Sequence, residues 1–315
     1  MVKRVLLASP RGYCAGVERA VDTVERALRL YGRPVYVRKQ IVHNSHVVRE
    51  LEERGAVFVD TVDEVPEGAT LVFSAHGIAP AVRAAADARK LTTIDATCPL
   101  VTKVHTQARR FAADGYTVVL IGHAGHEEVE GTMGEAPDAI VLVESVEDAE
   151  ALELPAEARP TYITQTTLSV DETREIVEVL RRRFPDMAGP AKEDICYATS
   201  NRQWAVKEML GEVDLLLVVG SRNSSNSQRL VEVARLAGVK AHLIDDVGEI
   251  ETSWLDGVES VGVTSGASAP ERLVGDVCDW FRARGVEDVG AFRSAFEDVV
   301  FRLPVELRRA ERSAA

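Results

Sequence analysis

Three cysteines in this chain each begin the same kind of segment, in which a helix-like run leads to an apolar strand that ends in polar side chains. The cysteines are Cys14, Cys98 and Cys196. The polar residues at the strand ends are His43, His126 and Ser224, which follow the cysteines by 29, 28 and 28 residues. A segment repeated in this way predicts three α/β units around an axis, with the three thiols together at its centre.

Short apolar strands alternate with amphipathic helices along the chain. Residues 5–8, 35–37, 57–59 and 71–73 have strand composition, and Ala15–Tyr31 carries an apolar helical stripe that ends at Gly32. Such alternation predicts parallel sheets with helical crossovers. Each segment also has a second polar cluster after a later strand. These clusters are residues 74–77, 164–167 and 264–268.

We therefore predict an α/β protein of three pseudo-threefold-related units with small, mostly parallel sheets. The predicted boundaries are residues 1–97, 98–194 and 195–283, and residues 284–315 form a tail that packs across the units. A single doubly wound sheet would show the same alternation, but it does not predict three evenly spaced thiols. The chain also lacks the glycine-rich dinucleotide and Walker-type loops.

Composition and charge exclude several classes of partner. The 315 residues carry a formal net charge of −13, which argues against nucleic acid or an anionic membrane as a main partner. No stretch reaches the length of a membrane span, and the N-terminal apolar run is too short for a signal peptide. Four cysteines without paired spacing predict free thiols in a reducing cytoplasm.

Each of the three repeated cysteines lies where a strand gives way to a helix. The positive helix end is expected to lower the thiol pKa there, which suits a thiolate ligand of iron or zinc. Structural zinc sites commonly use close cysteine pairs and a fourth ligand, whereas an iron–sulfur cluster on three cysteines leaves one iron open to substrate. Three separate buried cysteines are the alternative. Cys278 lies on an apolar helical stripe and is predicted to be a core residue.

The polar side chains at the strand ends suit the oxygens of a diphosphate. Imidazole, hydroxyl and amide donors are predicted at the carboxyl edge of strands, with helix N-termini behind them. The candidate ligands are His43, His76, His126, Ser224, Ser225, Asn226 and Ser268. Among the other histidines, we interpret His46, His105 and His242 as surface or packing residues and leave the role of His123 open.

Three acidic residues, Glu127, Glu128 and Glu130, follow His126 closely. A carboxyl group beside an anionic ligand and a cluster is expected to have a raised pKa and to carry a proton. Spacing does not choose among the three, and a solvated acidic loop is the alternative. Thr166 is either a hydroxyl relay or an ordinary turn residue.

Many separated stretches resemble the 4-hydroxy-3-methylbut-2-enyl diphosphate reductase family, and the resemblance extends over nearly the whole chain. They are residues 10–17 (PRGYCAGV), 42–44 (VHN), 73–77 (FSAHG), 95–105 (DATCPLVTKVH), 122–126 (GHAGH), 164–169 (TQTTLS), 194–199 (DICYAT), 220–227 (GSRNSSNS) and 266–270 (GASAP). No functional position departs from the family's pattern.

The resemblance implies a cloverleaf of three α/β domains around a 4Fe–4S cluster held by Cys14, Cys98 and Cys196. It also implies that the seven candidate ligands bind the diphosphate, and that Glu128 donates a proton relayed through Thr166. The implied reaction is reductive dehydroxylation of (E)-4-hydroxy-3-methylbut-2-enyl diphosphate to isopentenyl and dimethylallyl diphosphate. Ferredoxin or flavodoxin would supply the electrons to a cytoplasmic monomer or weak homodimer.

Two other classes compete with this interpretation. One is a diphosphate-binding protein with a structural tri-cysteine metal site and no turnover. The other is a thiol–disulfide oxidoreductase, which would use two neighbouring cysteines, and the chain contains no Cys-x-x-Cys.

Overall fold

Strands and helices alternate through the computed structural model, which describes residues 1–314. The strands are β1 (Arg4–Ser9), β2 (Val35–Arg38), β3 (Ala56–Val59), β4 (Thr70–Phe73), β5 (Thr92–Asp95), β6 (Thr117–Ile121), β7 (Ile140–Val143), β8 (Pro160–Thr164), β9 (Leu215–Val219), β10 (Lys240–Ile244), β11 (Ser260–Ser265) and β12 (Asp288–Arg293). The α-helices are α1 (Ala15–Tyr31), α2 (Ser45–Glu53), α3 (Pro80–Ala88), α4 (Pro99–Ala113), α5 (Glu127–Met133), α6 (Val146–Ala151), α7 (Val170–Arg183), α8 (Tyr197–Met209), α9 (Ser225–Leu236), α10 (Glu271–Arg282) and α11 (Val305–Ala314). Within residues 1–314, no helix has both the length and the apolar character needed to cross a membrane.

The strands form three parallel sheets. Their orders are β10-β9-β11-β1-β12, β3-β2-β4-β5 and β7-β6-β8. The strand pairs described for these sheets are all parallel. Central strands such as β9 are buried along their whole length, as expected when helices cover both faces of a parallel sheet. The predicted α/β class with small parallel sheets is confirmed.

The first strand joins a different sheet from the one implied by its place in the sequence. β1 pairs with β11 on one side and with β12 on the other, so it lies in the five-stranded sheet with the strands that follow Cys196. Residues 284–314 contain strand β12 and helix α11, and their packing across the units stays a prediction. The division at residues 97, 194 and 283 itself stays a prediction.

By its internal contacts the chain divides into two compact units. The first comprises Met1–Val17, His43–Val47 and Tyr197–Val300 and contains the five-stranded sheet. In its core, Leu217 and Val263 pack with Phe281 of α10, and buried Cys278 lies in the same cluster, as predicted.

The second unit comprises Glu18–Val42, Val48–Cys196 and the residues from Phe301 onward. It contains the four-stranded and three-stranded sheets. Alternate residues of β6 enter different clusters: Leu120 packs with Ile163, whereas Val119 packs with Leu180 of α7. The period of two along the strand thus places apolar side chains on both faces of the sheet.

Two glycines of the first unit allow a matched packing test. A Cβ at Gly266 would lie 1.9 Å from the Oγ of buried Ser227, whereas Gly275 is exposed on α10 and has nothing within 4 Å. We expect Gly266→Ala to lower the free energy of unfolding by about 1–3 kcal/mol through overpacking. Gly275→Ala should raise it by about 0.5–1 kcal/mol because alanine favours the helix. Denaturant titration followed by circular dichroism measures both, and equal effects would contradict the packing at Gly266.

Candidate active site

Each repeated cysteine immediately precedes a helix and is tied to a polar loop through its backbone N–H. The bonds run from Cys14 to the carbonyl of Ala267 at 3.1 Å, from Cys98 to that of Ala75 at 2.9 Å, and from Cys196 to that of Thr166 at 3.0 Å. The three loops follow β11, β4 and β8, and they carry the candidate residues Ser268, His76 and Thr166. Each thiol is therefore fixed, within its own unit, to a loop that bears a candidate site residue.

The thiols themselves are suited to bind a metal. Within residues 1–314 none of the four cysteines forms a disulfide; Cys14, Cys98 and Cys196 are partly accessible, whereas Cys278 is buried. Burial raises the pKa of the Cys14 thiol, against the opposing effects of the Arg202 charge and of backbone N–H groups. The expectation of a lowered pKa is therefore wrong for Cys14, because desolvation outweighs the helix end. A bound metal cation supplies the positive charge that deprotonates such a thiol, so this donor set fits an iron–sulfur cluster.

Five of the candidate diphosphate ligands lie in the first unit. Ser268 Oγ donates to the carbonyl of His43 at 2.9 Å and lies 3.4 Å from Ser224 Oγ. Asn226 Nδ2 donates to Ser224 Oγ at 2.9 Å. Ser224 is the N-cap of α9 and Ser225 is its first residue, so the cluster lies at the positive end of a twelve-residue helix. Hydroxyl, amide and helix-terminal donors in one place suit phosphate oxygens.

The second unit contains a nearly fully buried carboxyl group, that of Glu128, which is 2% exposed. Its Oε1 accepts a hydrogen bond from the Thr166 backbone N–H at 2.6 Å, and its Oε2 accepts one from Thr166 Oγ1 at 3.0 Å. The Nδ1 atom of His126, the N-cap of α5, accepts the backbone N–H of Glu128 at 3.1 Å. The structure thus brings Glu128, Thr166 and His126 together, and their roles stay predictions.

The two neighbouring carboxylates are placed differently. Glu130 is exposed, and Glu127 Oε2 lies 3.1 Å from Nδ1 of His76. The rings of His76 and His126 meet edge to face, with centroids 5.9 Å apart. Burial and hydrogen bonding therefore distinguish Glu128 from Glu127 and Glu130, whereas the spacing of the three residues in the sequence did not.

Burial raises the pKa of Glu128 to about 7, although the two hydrogen bonds from Thr166 lower it. The nearby charge of Asp194 contributes a further rise in this pKa. The expected rise is confirmed, and its main cause is desolvation of the carboxylate. A carboxyl group with a pKa near 7 can both hold and release a proton at neutral pH.

His105 was predicted to be a surface or packing residue, and the structure shows it in a packing role. It is 5% exposed, and its Nδ1 lies 2.7 Å from Glu135 Oε1. A Cβ added at Gly77 or Gly131 would come within 2.9 and 3.1 Å of the His105 ring. The ring therefore fills the space between the loop of His76 and helix α5, which carries Glu128.

The two remaining histidines of this group lie in the first unit. His242 stacks on Trp254 with ring centroids 3.7 Å apart, as a structural residue would. His46 Nε2 lies 3.3 Å from a carboxylate oxygen of Asp246.

Parallel α/β sheets, thiols at helix starts and loops rich in hydrogen-bond donors define a class of α/β proteins whose loops suit an anionic ligand. The chain belongs to the LytB family, because the family model described as LytB protein matches residues 5–282. The family resemblance inferred from the sequence motifs is confirmed.

Proteins named 4-hydroxy-3-methylbut-2-enyl diphosphate reductase are similar to this chain over nearly its full length. The one from Acidothermus cellulolyticus is 63% identical over 308 residues, which are 98% of this chain and 91% of that protein. The one from Rhodococcus opacus is 60% identical over 98% of this chain and 92% of its own length. The solved structure of E-1-hydroxy-2-methyl-but-2-enyl-4-diphosphate reductase from Plasmodium falciparum matches with a TM-score of 0.95 and 38% identity. That match covers 100% of this chain and 99% of the other.

The raised pKa of Glu128 predicts a specific pH dependence of stability. Because this pKa is about 7 in the folded protein against a reference value of 4.5, the folded state binds the proton more tightly than the unfolded state. The contribution of Glu128 to the free energy of unfolding should therefore fall as pH rises from about 4.5 to about 7, and stay constant above that. Glu128→Gln should lose this slope, and Glu130→Gln, at an exposed position of the same helix, should keep it. Denaturant unfolding across this pH range measures the slopes; identical slopes in Glu128→Gln and wild type would refute the assignment.

Proposed function

We propose that this chain is a 4-hydroxy-3-methylbut-2-enyl diphosphate reductase that forms isopentenyl diphosphate and dimethylallyl diphosphate. One observation carries the proposal: relatives that bear this reductase name are 58–63% identical over 98–99% of the chain. The buried carboxyl group and the clusters of phosphate-binding donors support the same reaction.

The proposal assigns a 4Fe–4S cluster to Cys14, Cys98 and Cys196. Support comes from the donor chemistry, since each is a thiol outside any disulfide, at a helix start, whose backbone is anchored to a polar loop. When bound, the cluster supplies electrons and a Lewis acid that favours departure of the hydroxyl group. Ferredoxin or flavodoxin is the proposed electron donor.

We assign the diphosphate to side chains that offer N–H or O–H hydrogen-bond donors and carry no negative charge. They are His43, His76, His126, Ser224, Ser225, Asn226 and Ser268. The N-terminus of α9 adds backbone N–H groups to the serine and asparagine side chains. Holding the charged end of the substrate in this way fixes the allylic end for reaction and limits the access of water.

Glu128 is the proposed proton donor and Thr166 its relay. The overall change replaces a carbon–oxygen bond by a carbon–hydrogen bond, so that two electrons and two protons enter and the oxygen leaves as water. With a pKa of about 7, Glu128 is partly protonated at neutral pH, and Thr166 Oγ1 lies 3.0 Å from its Oε2. Delivery of a proton to either end of the reduced allylic group accounts for the two products.

A cytoplasmic setting and a monomeric or weakly dimeric state complete the proposal. Four cysteines that are not joined in disulfides support a reducing compartment, where thiols persist.

The direct test is anaerobic turnover of 4-hydroxy-3-methylbut-2-enyl diphosphate with a chemical reductant, with iron and sulfide quantified on the same sample. We expect substrate-dependent oxidation of the reductant and both five-carbon diphosphates. A full cluster without turnover would assign the chain to a different substrate. Zinc in place of iron and sulfide would support a structural metal site and overturn the proposal.

Replacement of one thiol should remove the cluster. Cys98→Ser is expected to lose most of the iron and sulfide and the brown absorbance, since a serine hydroxyl is a much weaker iron ligand. Cys278→Ala, which changes a thiol in the apolar core of the first unit, should keep both. Metal analysis and visible absorption measure the effect. Wild-type iron content in Cys98→Ser would contradict the ligand assignment.

Removal of the proton from position 128 should block turnover more than binding. Glu128→Gln is expected to lower kcat by about 10²–10⁴-fold with little change in cluster content, because general acid catalysis contributes about that factor. Glu130→Gln serves as the matched control and should retain activity. Thr166→Val keeps the backbone N–H bond to Glu128 and should lose less. Full activity of Glu128→Gln would exclude it as the proton donor.

A further inference from the structure

Each helix that follows a repeated cysteine carries one basic side chain that binds main-chain carbonyls just before a different cysteine. The basic residue lies five, five and six residues after its own cysteine. The residues are Arg19 on α1, Lys103 on α4 and Arg202 on α8. The proposed function does not use any of them, and the sequence motifs did not single them out as site residues.

Arg19 holds the segment that leads to Cys98. Its Nη1 donates to the carbonyl of Thr97 at 3.0 Å, and its Nη2 donates to that of Asp95 at 3.2 Å. The third bond runs from Nε to the carbonyl of Arg302 at 2.8 Å. Thr97 is the residue directly before Cys98, so the planar guanidinium fixes the backbone on which this thiol is mounted.

Lys103 holds the segment that leads to Cys196. Its Nζ donates to the carbonyls of Glu193 at 2.7 Å and Lys192 at 3.0 Å. It also forms an ion pair at 3.0 Å with Asp194 Oδ1, whose side chain is fully buried. A lysine ammonium has three N–H groups, so these contacts account for all of its donors.

Arg202 holds the segment that leads to Cys14. The side chain is 1% exposed, and its Nη2 donates to the carbonyl of Gly12 at 2.8 Å. Its Nη1 donates to the Ala198 carbonyl at 2.9 Å and lies 3.0 Å from Glu297 Oε1. Gly12, with a φ of +72°, begins the turn that presents Cys14, so this bond fixes the turn directly.

The contacts of Arg19, Lys103 and Arg202 form a cyclic pattern, in which each cysteine segment is bound by the basic residue that follows another cysteine. The basic residue that follows Cys14 binds the backbone before Cys98. The one that follows Cys98 binds the backbone before Cys196, and the one that follows Cys196 binds the backbone before Cys14. Ordinary helix capping does not explain them, because each side chain binds carbonyls far from its own helix in sequence. A cation bound to the backbone beside a thiolate also stabilises negative charge there, since such a site is only partly solvated.

We propose that Arg19, Lys103 and Arg202 are positioning residues for the iron–sulfur cluster, which hold the cysteine backbones in place and favour its reduced state. The inference rests on the proposed function, because it requires that the three cysteines bind a cluster. Reduction adds one negative charge to the cluster, and a nearby fixed cation stabilises that added charge. Loss of a cation should therefore loosen the cluster and lower its reduction potential.

The test compares two substitutions on the same helix, α4, in anaerobically purified holoenzyme. Lys103→Met removes the contact, and Arg110→Met removes an exposed cation of that helix. We expect Lys103→Met to release iron to an excess of an iron(II) chelator about 10–100-fold faster, the usual size of an outer-shell effect. A redox titration followed by electron paramagnetic resonance should show a lower midpoint potential. Arg110→Met should match wild type in both measurements.

One further pair and one conservative variant keep the proposal testable if Lys103→Met folds poorly. Arg19→Met is compared with Arg29→Met, which removes a largely exposed cation of α1. Arg202→Lys keeps the charge but loses the planar fork, so it should release iron faster with a smaller change in potential than Lys103→Met or Arg19→Met.

The outcomes separate this inference from the proposed function. If wild type holds a cluster and the variants match their controls in iron release and potential, the positioning role is overturned and the proposed function stands. If anaerobic wild type holds no iron–sulfur cluster, the proposed function fails and the inference fails with it.

Discussion

The hydrogen bond from each cysteine amide to a polar loop is the contact on which the candidate site depends. A buried amide left without a partner costs about 1–3 kcal/mol, so thiol and loop cannot readily separate. In the second unit the connection goes further, since Thr166 accepts the Cys196 amide through its carbonyl and binds Glu128 through its N–H and hydroxyl. Thr166 thus joins a predicted cluster ligand, Cys196, to the predicted proton donor, Glu128. A displacement of one of these two residues would therefore displace the other.

Glu128 illustrates how the fold sets chemistry through burial. Two hydrogen bonds from Thr166 stabilise its carboxylate, yet desolvation is larger and raises its pKa to about 7. Without those bonds its pKa would be higher, and the group would be a poorer proton donor. Without the burial it would be ionised at neutral pH and would carry no proton. The balance between the two gives a carboxyl group that can be loaded and unloaded near neutrality, which a reaction consuming protons requires.

The sequence predicted the local structure well, because periodicity is a local property. The bounds of α1 were predicted to the residue from its apolar stripe and Gly32. The sheet of β1 was not predicted, because pairing with β11 and β12 depends on contacts more than 250 residues away in sequence. The choice of Glu128 over Glu127 and Glu130 and the raised thiol pKa of Cys14 depend on burial, which adjacent residues do not reveal.

The positions of the basic side chains answer an electrostatic difficulty in the proposed function. A chain with a formal net charge of −13 would hold an anionic diphosphate and three thiolates, whose negative charge the iron of the cluster offsets only in part. Cations on the protein surface stabilise these anions little, because salt screens their charge beyond about 8–10 Å. Arg202 is 1% exposed, and Lys103 is paired with a buried carboxylate, so solvent screens these charges much less than surface ones. Each of these cations is paired with a carboxylate, Arg202 with Glu297 and Lys103 with Asp194, so its loss would leave a negative charge uncompensated near a cysteine backbone.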